Sequence, residues 1–363
     1  MRIIFRVDAA LHIGTGHFQR CKTLAKALIR SGHNVHFFSR EFGDGVACNV
    51  EELAISIHII GNSTVDILRS KDDRLWLGVS QEEDAKNFIE SVKRSQVFPD
   101  VVIVDHYSLD YEWEGKIKKA LSPKVVVIDD LANRRHDCEV LLDQNYYVNF
   151  ESRYQNLVSR NTKQLLGPMY VLLREEFLAL RAIDSLPSIN KVLVNFGGVG
   201  NMQVWEKFIP ALQETSDLYF YHLITGKLPA HQYRQIHDAL SESNIICEEV
   251  TNNMAHYMNE SIFSIGACGS TVWERFCLGL NSCLIDIADN QIELVEALVQ
   301  RGLIDYLGSL QDLSSGTIVS YLRNLSVESS VYTERERVIQ KLVDGKGALR
   351  VVAEIESIVG EYV

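Results

Sequence analysis

Near the start of the chain, Gly14, Thr15, Gly16 and His17 stand in the stretch RVDAALHIGTGHFQRCKTLAKALIR. A histidine placed where a glycine loop becomes a helix meets the positive end of the helix dipole. That end favours the neutral ring, the form a general base needs. The plainer alternative is a histidine that caps the helix or touches a pyrophosphate. Asp105, His106 and Tyr107 end a β-branched run, and Tyr107 suits a hydrogen bond to a sugar or a water. Asp8 and Asp105 fit equally the structural duty of strand-end carboxylates, and His106 and Tyr107 fit packing beneath the loop. In the second half, Gly266-Ala267-Cys268-Gly269-Ser270-Thr271 is a glycine turn that opens a helix, with Glu274 one turn in. Free N–H groups there suit a diphosphate, and the carboxylate suits two ribose hydroxyls. The same residues also read as a capping box, with Thr271 as cap and Glu274 reaching back. Gly197 and Gly198 permit close backbone approach. Asn290 and Gln291, beginning another helix, offer amides to a sugar or a water.

These residues need positioning, and the alternation of patterns supplies it. The chain opens on a strand, Arg2 to Val7, and after the loop comes an amphipathic helix with Cys21, Leu24, Ala25, Leu28 and Ile29 on one face. Strands are expected at 34–39, 55–60, 101–104 and 124–128, with helices at 81–94 and 109–120 between them. The continuous apolar character of 101–104 is that of a parallel strand covered on both faces. A helix at 172–181 precedes a polar, proline-containing stretch, Asp184–Asn190, which reads as a domain boundary. Alternation then restarts at strand 191–195 and runs to strand 282–285 and helix 291–301, with a mostly helical C-terminal part from residue 317. The expected fold class is α/β: two Rossmann-like, doubly wound domains facing across a cleft. They cover residues 1–183 and 191–345, and a last helix at 346–363 packs back on the first. In such sheets ligands bind beyond the carboxyl ends of the strands, where the residues named above fall.

At 363 residues the chain is long for one core. A net charge of -12 argues against nucleic acid or an acidic membrane as the main partner, but not against a small phosphate-bearing ligand held by local N–H groups. Seven cysteines without a C-x-x-C motif fit reduced thiols in a cytoplasmic protein. The histidines show no metal-ligand spacing, so neither a metal nor another cofactor is expected. No apolar run approaches the roughly 18 residues of a membrane span. A monomer or weak homo-oligomer is expected.

Taken together, RVDAALHIGTGHFQRCKTLA, VIVDHY, IDDLANRRHDCEVLLDQN, LLGPMYVLLREEF and GSTVWERFCLGL…IADNQ resemble the UDP-sugar hydrolases of pseudaminic acid biosynthesis. Those enzymes release UDP from UDP-2,4-diacetamido-2,4,6-trideoxy-β-L-altropyranose. Their wider relatives are the nucleotide-sugar glycosyltransferases of the GT-B fold. The resemblance implies that His17 is the base acting on water at the anomeric carbon, with Tyr107 and Asn290 placing that water and the sugar. It implies that Ser270, Thr271 and Glu274 hold diphosphate and ribose, that uracil lies against the backbone around Val250–Met254, and that Arg174 contacts substrate. Gly14, Gly16, Asp105, His106, Gly197, Gly198, Gly269 and Gln291 complete the implied substrate-binding set. One departure is visible. The family turn Gly-Gly-Ser/Thr-Asp reads Gly197-Gly198-Val199-Gly200 here, so its acidic member is missing.

Hydrolysis by water attack on the face opposite UDP predicts C–O cleavage with inversion, without a metal. The rival enzyme is a GT-B glycosyltransferase with a hydroxyl acceptor in place of water. Such transferases acting at membranes carry a basic, apolar patch that is not evident here. A nucleotide-sugar sensor is the non-enzyme rival, and it leaves the titratable His17 unexplained.

Overall fold

The continuous apolar runs become the strands of two parallel sheets in the computed structural model, which describes residues 1–10, 12–42, 55–63, 72–181, 190–240 and 245–360. The first sheet is built from β1 (Arg2–Val7), β2 (Asn34–Glu41), β3 (Ser56–Asn62), β4 (Val101–Asp105), β5 (Lys124–Ile128), β6 (Val140–Asp143) and β7 (Lys163–Leu166). Helices α1 (Gly16–Arg30), α2 (Gln81–Ser95) and α3 (Tyr111–Leu121) alternate with them. The strand order is β3-β2-β1-β4-β5-β6-β7, and every pairing is parallel, so all carboxyl ends share one edge. The helices cover the sheet because their apolar stripes match it: Phe18, Cys21, Leu24, Ala25 and Leu28 of α1 are buried on one face. On the other, Phe88 and Trp113 meet edge to face at 5.3 Å.

The second unit begins with α4 (Glu175–Arg181) and continues through β8 (Lys191–Asn195), α5 (Met202–Glu214), β9 (Phe220–Ile224), α6 (Ala230–Leu240) and β10 (Ile246–Glu248). Then come α7 (Met254–Asn259), β11 (Phe263–Ala267), α8 (Thr271–Leu278), β12 (Ser282–Asp286), α9 (Ile292–Gln300) and β13 (Asp305–Ser309). Its sheet is parallel as well, in the order β10-β9-β8-β11-β12-β13. After α10 (Ser315–Asn324) and α11 (Ser330–Leu342), α12 (Gly347–Gly360) returns to the first unit. There Val351, Val352 and Ile355 join the core that α1 covers.

By contacts the first unit is Met1–Asn145, Asn149–Leu172 and Lys346–Val363, and the second is Tyr146–Val148 and Leu173–Gly345. The division falls at Leu172, ahead of the Asp184–Asn190 stretch, of which residues 184–189 lie outside the described residues. Helix α4 goes with the second unit for a physical reason. Arg181 ties it there by donating to the carbonyls of Cys277, Gln340 and Val343. Strands β6, β7 and β13 are additions to the expected pattern. β6 and β7 are four residues each, too short for period-2 alternation to show. The six cysteines among the described residues form no disulfide. No helix among the described residues is long and apolar enough to cross a membrane.

Candidate functional site

In the first sheet the strand order reverses between β1 and β4, where connections leave to opposite sides and open a crevice at the carboxyl ends. Val7 lies opposite Asp105 in the register, so the loop leaving β1 and the last residue of β4 are neighbours by topology alone. That loop turns back at Gly14, whose φ of +78° lies in the left-handed region and whose N–H reaches the Ala10 carbonyl at 2.7 Å. Gly16 then begins α1, and Thr15 before it supplies no side-chain cap. His17, in the first turn, is 8% exposed and aimed at Asp105.

A closed set of contacts results. His17 Nδ1 lies 2.5 Å from Asp105 Oδ1. Arg20, one turn along α1, donates to both oxygens of Asp105 at 2.6 and 2.7 Å. Its remaining terminal nitrogen donates to Asp130 at 2.8 Å. The other Asp130 oxygen accepts from the Tyr107 hydroxyl at 2.5 Å, and the Tyr107 ring stands edge-on to His17 at 4.4 Å. Arg20 Nη2 also approaches His17 Nδ1 at 3.2 Å, but a guanidinium only donates. The carboxylate at 2.5 Å therefore decides the tautomer: Nδ1 carries the proton, and Nε2 keeps its lone pair. Burial alone would raise the Asp105 carboxyl. The charge of Arg20, with the hydrogen bonds from Arg20 and His17, overcomes this and holds it far below the usual carboxylate range. Burial and the Asp130 charge push the Tyr107 phenol well up, so it stays a hydrogen-bond donor.

His106 is next in sequence but belongs to a different cluster. Its Nδ1 accepts from the Ser108 amide at 3.1 Å, and its Nε2 lies 3.3 Å from Asp8. Asp8 is bound twice by Arg6, at 2.5 and 2.9 Å, and accepts from the Arg40 amide at 2.7 Å. Asp84 binds Arg6 and Arg40 from α2. These groups are buried, and the cluster ties β1, β2 and α2 together beneath the loop. His106 and Asp8 are thus held apart from the His17 array.

The second sheet reverses between β8 and β11, with Gly266 opposite Asn195. Here the site is mostly backbone. A Cβ on Gly197, Gly198 or Gly269 would meet nothing within 4 Å, so these turns lie open. Gly266 is the opposite case: a Cβ there would meet Arg275 Nη2 at 2.2 Å and the Asn195 carbonyl at 2.4 Å. That glycine lets the buried Arg275 bridge the ends of both strands, donating to Asn195 O at 3.1 Å and Ala267 O at 3.4 Å. Burial lowers Arg275 to about 10.

The capping box is not formed. Ser270 is the N-cap of α8, in helical conformation, without a side-chain cap bond. The Ser270 and Thr271 amides have no acceptor among the described residues, which suits an anion. Glu274 instead pairs with Arg174 Nη2 at 3.1 Å, bringing together two residues a hundred positions apart. Burial raises the Glu274 carboxyl against the lowering effect of Arg174. Gln291 closes its own loop, accepting from the Ile287 amide at 3.0 Å. Asn290 sits in the short turn 289–291, and its side chain lies outside the described residues. Arg20 and Arg275 are the members that sequence reasoning missed, while Asp130 reads from the sequence only as a polar residue at a strand end. Only Arg20 carried a signal, its i,i+3 spacing from His17.

No protein-family model matches the chain. Among curated proteins it is similar to the UDP-2,4-diacetamido-2,4,6-trideoxy-beta-L-altropyranose hydrolase of Campylobacter jejuni, 24% identical over 83% of this chain and 97% of that one. It is also similar to the spore coat polysaccharide biosynthesis protein SpsG of Bacillus subtilis, 22% identical over 71% of this chain and 77% of the relative. Among solved structures, MurG of Acinetobacter baumannii aligns over 98% of this chain and 99% of its own, with a TM-score of 0.66 and 15% identity. The fold is GT-B, with two Rossmann-like parallel-sheet units.

Proposed function

We propose that the protein hydrolyses a UDP-linked 2,4-diacetamido-2,4,6-trideoxyhexose of the L-altrose type, releasing UDP and the free sugar with inversion at the anomeric carbon. The observation that carries this reading is the His17–Asp105 pair, which leaves Nε2 as the proton acceptor beside the Tyr107 ring. Asp105 would fix the tautomer and stabilise the imidazolium as it forms, while Nε2 removes a proton from water. UDP is a good leaving group, so its departure needs charge stabilisation rather than a strong acid. The uncapped N-terminus of α8 and the open Gly197-Gly198 turn supply N–H groups for that. Glu274 would accept from the ribose. Support from outside the molecule is the similarity to the Campylobacter jejuni hydrolase across nearly its whole length.

The test is proton NMR of purified protein with a panel of UDP-diacetamido-trideoxyhexoses, following which isomer is consumed and which anomer forms first. A UDP-release assay with and without hydroxyl acceptors separates hydrolysis from transfer. UDP release that depends on an added acceptor would replace the hydrolase reading with a glycosyltransferase.

A further inference from the structure

Next to the His17 array, the carboxyl ends of β5 and β6 hold a group that the mechanism above does not use. The Tyr154 hydroxyl, fully buried, lies 3.0 Å from Asp129 Oδ2 and 3.1 Å from Asp143 Oδ2. A phenol has one hydrogen and can donate to one carboxylate only, so the second oxygen must bring a proton of its own or face a lone pair. The partners of each carboxylate decide which one brings it. Asp129 accepts from the Ala132 amide at 3.0 Å, has Arg134 Nη1 at 2.8 Å and His136 Nε2 at 3.9 Å. Asp143 has the Asn145 amide at 3.0 Å and, among the described residues, no cation nearer than the Nε of Arg153, at 3.5 Å. We propose that Asp143 is protonated at neutral pH, donating to Tyr154, which donates to Asp129, and that this neutral carboxyl is a positioning residue for the His17 array.

The link to the array is Arg153. Its Nη2 donates to the carbonyls of Asp130 and Leu131, at 3.1 and 3.4 Å, and so braces the loop from which Asp130 holds Arg20 and Tyr107. When Asp143 gives its proton to hydroxide, a second buried charge appears beside Asp129 and Asp130. The Arg153 guanidinium then has a carboxylate to pair with, at the expense of those carbonyls. Burial, then the charge of Asp130, pushes the Asp143 carboxyl up to about 8, so the change falls on the alkaline side of neutrality.

Infrared spectroscopy of the full chain tests the proton without any substrate. A protonated-carboxyl stretch is expected at neutral pH, shifted by 13C-labelled aspartate, lost on alkaline titration and absent from Asp143→Asn. The aspartate label excludes Glu274 and Glu336, the other carboxyls that burial raises. Absence of the band, or its persistence in Asp143→Asn, overturns the proposal. The positioning part rests on the proposed hydrolysis and is read from turnover. Wild type is expected to lose rate above about pH 8, up to tenfold per pH unit as one ionisation requires. Asp143→Asn is expected to work at neutral pH with that limb shifted or gone, and an unchanged limb overturns the positioning role. If the variant does not fold, the wild-type band and rate must titrate together; separate midpoints overturn it. A protein that turns over no UDP-sugar but shows the band refutes the hydrolase reading and the positioning role while leaving the proton assignment standing.

Discussion

At the switch point of the first sheet, side chains build the site: a histidine, two aspartates, an arginine and a tyrosine, each holding the next at between 2.5 and 2.8 Å. At the switch point of the second, the same topological place holds open glycines, an uncapped helix start and one ion pair, Arg174–Glu274. Under the proposed reaction, the contrast follows from what each site would do. Proton transfer needs one atom at one place and one tautomer, so the imidazole is locked by a carboxylate that is locked in turn by Arg20. Holding an anion needs N–H groups and room, and any side chain that filled the turn would compete for them. Substitutions in the first site should therefore act on rate, and those in the second on affinity.

The largest effect is expected at His17. Replacing it with Phe removes the proposed base and keeps the ring packing on Tyr107. Turnover should fall on the order of 10³-fold, within the range general bases contribute, while UDP affinity by calorimetry stays at the wild-type value. A variant that still turns over ends the assignment.

Arg20 comes next, because it is the only cation among the described residues that touches both Asp105 and Asp130. Arg20→Met takes the cation from the buried Asp105 and the partly buried Asp130 and should destabilise the fold by about 3–5 kcal/mol, measured by urea unfolding. Arg20→Lys restores the charge but not the planar fork that spans both aspartates, so it should recover stability more than rate. Equal recovery of both would mean that charge alone, and not orientation, is what the array requires.

The second site breaks differently, and two glycines three residues apart show how. Gly266→Ala drives a Cβ into Arg275 and the Asn195 carbonyl, at 2.2 and 2.4 Å, and should cost about 1–3 kcal/mol as overpacking does. Gly269→Ala meets nothing within 4 Å, so its melting temperature should be that of wild type. Its methyl occupies space before α8, and UDP binding should weaken about tenfold, a change of ~1.4 kcal/mol. If Gly269→Ala binds UDP normally, the diphosphate is not held at this turn.

Much of the fold was legible in the chain itself. The apolar runs at 101–104 and 124–128 read as covered strands, and the parallel pairing of β1 with β4 brings the loop that carries His17 to Asp105. What the sequence hid is the direction of each side chain. Asp105 ends β4 and the chain turns after it, so His106 goes to the Arg6–Asp8 cluster while Asp105 and Tyr107 join His17. Capping showed the same limit. Thr271 and Glu274 have capping-box spacing, but Arg174, a hundred residues away, takes the carboxylate. Long-range pairs of this kind, like Arg275 beneath Gly266, leave no periodic trace.

The smallest expected effect is the one that separates fold from function at the second site. The Arg174–Glu274 pair is partly open to water, with the Arg174 side chain 37% and that of Glu274 15% exposed, so its worth to stability is on the order of 0.2–1 kcal/mol. Glu274→Gln keeps an oxygen for Arg174 and removes a charge whose burial is unfavourable, and the two changes offset each other. Thermal unfolding should hardly move. UDP affinity should fall about tenfold if the carboxylate accepts ribose hydroxyls, since hydrogen bonds to a charged group contribute about 1.5–3 kcal/mol. The loss should shrink for UDP analogues lacking ribose hydroxyls, because those partners are already gone. A variant that unfolds early and binds UDP as before would place Glu274 with the fold, and the second site would then bind by backbone alone.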